Sequence, residues 1–168
     1  IRDFHVTGVQ TCALPIYWDA LMYHLQVPAA FLEEGRVFLP PDNLHATVTG
    51  VMHMLYVPLL AAGSPEAPAL LNGLLALLLG GVVFQAGGRW FGKQASSLAL
   101  VLLWGTTTLL LVAITARTDV TLALYLFLAH YALMRGMEEV EGDRDPLPWA
   151  ILAVVVLGLA GGVKANAL

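Results

Sequence analysis

Charge is what this chain has least of. Only 12% of its 168 residues are Asp, Glu, Lys or Arg, about half the share of an ordinary soluble domain. Eight basic residues against twelve acidic ones leave no basic patch, which excludes nucleic acid as a partner. Cysteine is nearly absent as well. Cys12 is the single one, and it lies in a stretch set aside below, so disulfides, thiol catalysis and cysteine-built metal sites are excluded together for the remainder. No Gly-rich phosphate loop follows a strand-like run, which excludes a soluble nucleotide-binding module. His24, His45, His53 and His130 show no H-E-x-x-H or comparable spacing, which argues against a histidine-built zinc site.

What the chain does have is apolar length. It is 58% hydrophobic with a mean hydropathy of +0.76. Uncharged runs approaching ~20 residues read as bilayer spans, and they predict helices over 67–88, 95–116, 120–134 and 147–163. The predicted fold class is all-α, a polytopic transmembrane helical bundle with a loop helix on its outer surface. Lysine and arginine set the orientation. Arg89, Lys93, Arg135 and Arg144 are assigned to the cytoplasmic side, and Arg36, Arg117 and Lys164 to the outside of a cell membrane. Asp19 and Asp119 then share a side only if an even number of crossings separates them. The run 46–63, broken by His53 and Pro58, is therefore expected to enter obliquely or to lie at the interface. His130, mid-span, is expected to bond to a neighbouring helix.

The ends are read as non-native. Val6-Thr7-Gly8-Val9-Gln10-Thr11-Cys12-Ala13-Leu14-Pro15-Ile16 resembles the translation of a sequencing-adapter oligonucleotide, so residues 1–16 are excluded from fold reasoning. Residues 17–168 are expected to be the amino-terminal part of a longer protein, with 17–45 an outer catalytic loop and 46–168 membrane helices.

The stretch Tyr17-Trp18-Asp19-Ala20-Leu21-Met22-Tyr23-His24-Leu25 gathers an acid, two tyrosines, a tryptophan and a histidine in a chain otherwise dominated by leucine and alanine. Polar groups beside a bilayer are expensive and tend to be functional. Residues 18–34 fit a surface helix with Leu21, Leu25, Ala29 and Leu32 on one face and Asp19, Tyr23 and Gln26 on another. Pro28 interrupts that helix and leaves the His24 carbonyl without its helical partner. Asp19 could be a general base, a metal ligand or a helix N-cap. Asp119 could likewise cap the helix starting at Val120 or pair with Arg117 at the surface, and Lys164 could simply snorkel to headgroups. A transporter or flippase, with Asp19, Asp119 and Lys164 lining a substrate path, is the rival from another class.

Trp18-Asp19-Ala20-Leu21-Met22-Tyr23-His24-Leu25, followed by Pro28, Phe31-Leu32 and Gly35-Arg36, resembles the first outer loop of the GT-C superfamily. These are membrane glycosyltransferases of the protein O-mannosyltransferase and aminoarabinose-transferase type, glycosyltransferase family 39 among them. Arg89-Trp90-Phe91-Gly92, Arg117-Thr118-Asp119 and Gly161-Gly162-Val163-Lys164 continue the likeness in order and spacing over 17–168. The resemblance implies transfer of a sugar from a polyprenyl-phosphate donor to an extracytoplasmic acceptor (glycan, lipid or protein), with inversion, at the outer face of a bacterial inner membrane. It implies Asp19 and Asp119 as catalytic residues, with Arg117, Lys164, Tyr23 and His24 holding the substrate and its phosphate. Many relatives carry an acidic motif where this chain has His45 and Val51-Met52-His53-Met54. His53 thus becomes the candidate ligand that would join Asp19 and Asp119 around a divalent metal ion.

Overall fold

A computed structural model describes residues 20–39 and 50–164, and among them every regular element is a helix. Asp19, His45 and the adapter-like 1–16 lie outside the described residues. A π-helical turn (Ala20–His24) leads into α1 (Gln26–Glu34), followed by α2 (Val51–Ala61), α3 (Ala67–Trp90), α4 (Lys93–Gly105), α5 (Thr107–Ala113), α6 (Asp119–Glu141) and α7 (Leu147–Val163).

The local chemistry accounts for these boundaries. Pro28 sits in the first turn of α1, where a missing N–H costs nothing. The chain upstream instead closes a wide turn through the Leu25 N–H and Ala20 carbonyl at 2.9 Å. Gly35 ends α1 at φ 64°, a left-handed position that only glycine adopts readily. Pro68 and Pro148 lie in the opening turns of α3 and α7.

α3 and α6, 24 and 23 residues long, are each long and apolar enough to cross a membrane. At 1.5 Å per residue they reach about 35 Å. The predicted continuous span over 95–116 is corrected. It breaks at Thr106 into α4 and α5, which together make a third candidate span bent by 69°. Thr106 turns extended (φ −79°, ψ 105°), and its hydroxyl bonds the Leu102 carbonyl at 2.9 Å. A threonine side chain competing for helical carbonyls bends or ends a helix. Asn72 of α3 stabilises the far side of the break by donating to the carbonyls of Val112 (2.7 Å) and Thr115 (2.8 Å). α2 and α7 are shorter apolar helices of 11 and 17 residues.

Two contact sets define the ends of the molecule. At one end Glu138 of α6 accepts from Arg89 (2.6 and 2.9 Å), Trp90 (2.5 Å) and Arg135 (2.8 Å), while Glu139 pairs with Arg135 at 3.1 Å and with Arg144. Trp90, Tyr131 and Trp149 pack beside them, and the Arg135 guanidinium lies 4.8 Å from the Trp149 ring centre. At the other end α2 lies across the bundle. Its Met52 and Tyr56 are buried with Ala20, Ala116 and Val163, and Leu71, Leu75, Leu122 and Tyr125 pack around them. α3 and α6 therefore run parallel, α7 returns antiparallel along α6, and α2 packs at the Asp119 end.

Two expectations about faces are corrected. The buried stripe of the loop helix is Ala20, His24, Val27, Pro28 and Phe31, while Leu21, Leu25, Ala29 and Leu32 are half-buried. The π turn shifts the register, and Val27 and Phe31 seat against Val57 of α2. His130 is exposed, facing away from the neighbouring helices it was expected to bond.

Candidate functional site

The α2 end of the bundle gathers most of the polar chemistry that the sequence singled out. Thr118, in the cap position of α6, makes no capping bond, and Asp119 is the first residue of the helix. The carboxylate of Asp119 is thus not spent on capping. Its Oδ2 accepts from Arg117 Nε at 2.9 Å, and its Oδ1 accepts from the ammonium of Lys164, 45 residues away. Lys164 follows α7 directly, and its side chain is only 21% exposed, so it reaches inward to an acid and does not extend to headgroups.

Lys164 is placed by a backbone contact. A Cβ on Gly50 would lie 2.1 Å from the Gly162 carbonyl oxygen, and one on Gly162 would lie 2.8 Å from Val51. Only glycine at both positions lets the start of α2 approach the end of α7 this closely. Tyr56 adds a second tie, donating its hydroxyl to the Arg117 carbonyl at 3.0 Å.

His24 and His53 meet beneath this cluster, although 29 residues separate them. His24 Nδ1 and His53 Nε2 are 2.9 Å apart, both rings are buried, and they meet edge to edge in nearly one plane, with centroids 5.0 Å apart and planes 10° apart. The Tyr23 ring lies 4.1 Å from that of His24. Gly50 donates its backbone N–H to His53 Nδ1 at 3.0 Å, closing the open first turn of α2. Both ring nitrogens of His53 are therefore engaged, and binding a metal there would require one of these bonds to be given up. Burial, reinforced by His53, lowers the His24 pKa from 6.5 to about 3. The Asp119 carboxylate opposes that shift, whereas Lys164 and Arg117 add to it, so all three charges lie within electrostatic reach of the ring.

Of the sequence-predicted site residues, the fold thus brings Arg117, Asp119 and Lys164 into one ion-paired group and Tyr23, His24 and His53 into an aromatic one beside it. Asp19 lies outside the described residues, but Ala20, the next residue in sequence, packs with Ala116 and Val163. Among the described residues no group of three or more His, Cys, Asp or Glu side chains is arranged to hold a metal ion. Sequence reasoning missed Tyr56, Asn72 and the Gly50–Gly162 approach. Asn72, a lone amide in an apolar run, was the one of these carrying a visible signal, because a buried amide there must find partners. Comparison with known protein families, curated proteins and solved structures gives no match to this chain.

Proposed function

We propose that this chain forms the donor-binding end of a polytopic membrane glycosyltransferase. It would move a sugar from a polyprenyl phosphate to an acceptor outside the cytoplasm of a bacterial cell. The observation that carries the reading is the Arg117–Asp119–Lys164 group at the start of a membrane-length helix. Asp119 holds both cations at the bundle end, where a lipid-borne phosphate would present its charge. Lys164 has three N–H donors, and Asp119 takes one of them. In the transfer, the acceptor oxygen bonds the anomeric carbon as the bond from that carbon to the phosphate oxygen breaks. The electron pair leaves on the phosphate beside Lys164 and Arg117, and the acceptor proton passes to the Asp19 carboxylate. Asp119 orients the two cations. A divalent metal ion, if the enzyme uses one, would neutralise the phosphate between Asp19 and Asp119.

Against the transporter reading, the broken helix pair α4–α5 has no ionisable side chain near its break at Thr106. Transporters place their charged groups at such breaks. The test is sugar transfer from a polyprenyl-phosphate donor by the intact protein in nanodiscs. Asp19→Asn should lower the rate by about 100-fold or more, the range for loss of a general base, with insertion and yield unchanged. A fully active Asp19→Asn protein would sink the mechanism.

A further inference from the structure

α6 turns a polar side chain outward where a membrane would be driest. Ala123, Leu126, His130, Leu133, Met137 and Val140 are all exposed. They recur at alternating steps of three and four residues, the spacing of a seam between two helices. The opposite side of the helix, with Thr121, Leu124, Ala129 and Ala132, is buried in the bundle. His130 follows Asp119 by eleven residues and precedes Glu138 by eight. At 1.5 Å per residue it lies about 17 Å from the one and about 12 Å from the other, near the middle of the bilayer that α6 is long enough to cross. Among the described residues His130 has no hydrogen-bond partner. The exposed Leu70, Leu74 and Leu77 of α3 and Ile151, Val154 and Val155 of α7 are by contrast apolar, and suit lipid chains.

We infer that this face of α6 is the interface of a two-fold dimer, in which His130 bonds the same residue of a second copy. Lipid chains offer an imidazole no hydrogen bond, and a polar side chain within a bilayer ordinarily finds a protein partner. A second copy meets that need by symmetry. Both copies enter the membrane the same way round, so the two-fold axis runs along the membrane normal and identical residues meet at the same depth. A neutral imidazole carries one N–H donor and one bare nitrogen acceptor. It therefore complements its own copy, whereas a carboxylate or an ammonium at that position would repel its own. The alternation of three and four residues also fits two parallel helices crossing at about 20°. The inference is independent of the proposed function.

The experiment uses the intact protein carrying Cys12→Ser, in liposomes. Under a mild oxidant Leu126→Cys and Leu133→Cys should each give disulfide-linked dimers, and Leu74→Cys, exposed on α3, should not. Energy transfer between donor-labelled and acceptor-labelled copies, followed as lipid is added, reads the dimer affinity. His130→Leu should weaken it about three- to tenfold, the range for one hydrogen bond between membrane helices. His130→Asn, whose amide also donates and accepts, should restore it. A dimer indifferent to His130→Leu overturns the inference, as does cross-linking no stronger at Leu126 and Leu133 than at Leu74. A protein that stays monomeric at every lipid ratio overturns it as well, and would assign the face to another helix of the same chain, to a different subunit or to lipid.

Discussion

Asp119 is met by positive charge from three directions: the N-terminal dipole of α6, Arg117 two residues earlier and Lys164 across the bundle. With its side chain about a third exposed, the pairing is stronger than a surface salt bridge and weaker than a fully buried one. Asp119→Asn should destabilise the protein by roughly 1–3 kcal/mol, because it removes the charged acceptor that Arg117 and Lys164 share. Lys164→Met should cost less, and the double variant should recover part of the loss. A double-mutant cycle on melting temperature in detergent reads this coupling, and strictly additive effects would count against a structural pair. His24 sets a pH dependence of definite sign. Its folded pKa is about 3 and its unfolded value 6.5, so between them the unfolded chain binds the extra proton. The stability linked to a neutral His24 is complete above about pH 6.5 and is lost as pH falls toward 3. The melting temperature should drop between pH 7 and 5, and His24→Gln should flatten that slope.

At the scale of elements, the end of the bent α4–α5 pair is tied to α3 by one amide. Asn72→Leu adds apolar bulk but strips the Val112 and Thr115 carbonyls of their partner. Carbonyls orphaned in a buried setting cost about 1–3 kcal/mol, so a clear fall in melting temperature is expected, whereas an unchanged one would mean that water satisfies the bend. The α2–α7 contact is stricter. Gly50→Ala drives a methyl group into the Gly162 carbonyl. It should separate the helices and weaken the Lys164–Asp119 pair, lowering the melting temperature more than Gly73→Ala, whose Cβ would have its nearest neighbour at an ordinary 3.7 Å.

For the whole molecule, the segregation of charge gives a test of topology. Arg89, Arg135 and Arg144 gather at one end of α6 and Arg117 and Lys164 at the other. If α3, the bent pair and α6 each cross, three traverses connect residue 62 to residue 141. In a protein with Cys12 replaced by serine, Ala62→Cys and Glu141→Cys should react with an impermeant maleimide from opposite sides of the membrane. Reaction of both from the same side would mean that the bent pair returns without crossing.

Composition and periodicity indicated, without any structure, the helices and membrane-length apolar segments found among the described residues, because a bilayer demands ~20 apolar residues wherever they are strung together. They also located α3 and α7 to within a few residues, whereas the span expected over 120–134 runs on to Glu141, because Glu138 and Glu139 pair with Arg89, Arg135 and Arg144 and keep the charged turns helical. Local rules of this kind see only neighbours along the chain. Gly105 and the threonines at 106–108 give a local reason for the bend between α4 and α5, but only the tertiary structure shows Asn72, 40 residues away in sequence, tying down the Val112 carbonyl beyond it. Asp119 and Lys164 could each be explained locally, as a cap and a snorkelling cation, and only the Gly50–Gly162 contact decides that they meet. The histidines had no ligand spacing because their relation is not local at all. A π turn rotates His24 inward, and the first turn of α2 presents His53 to it.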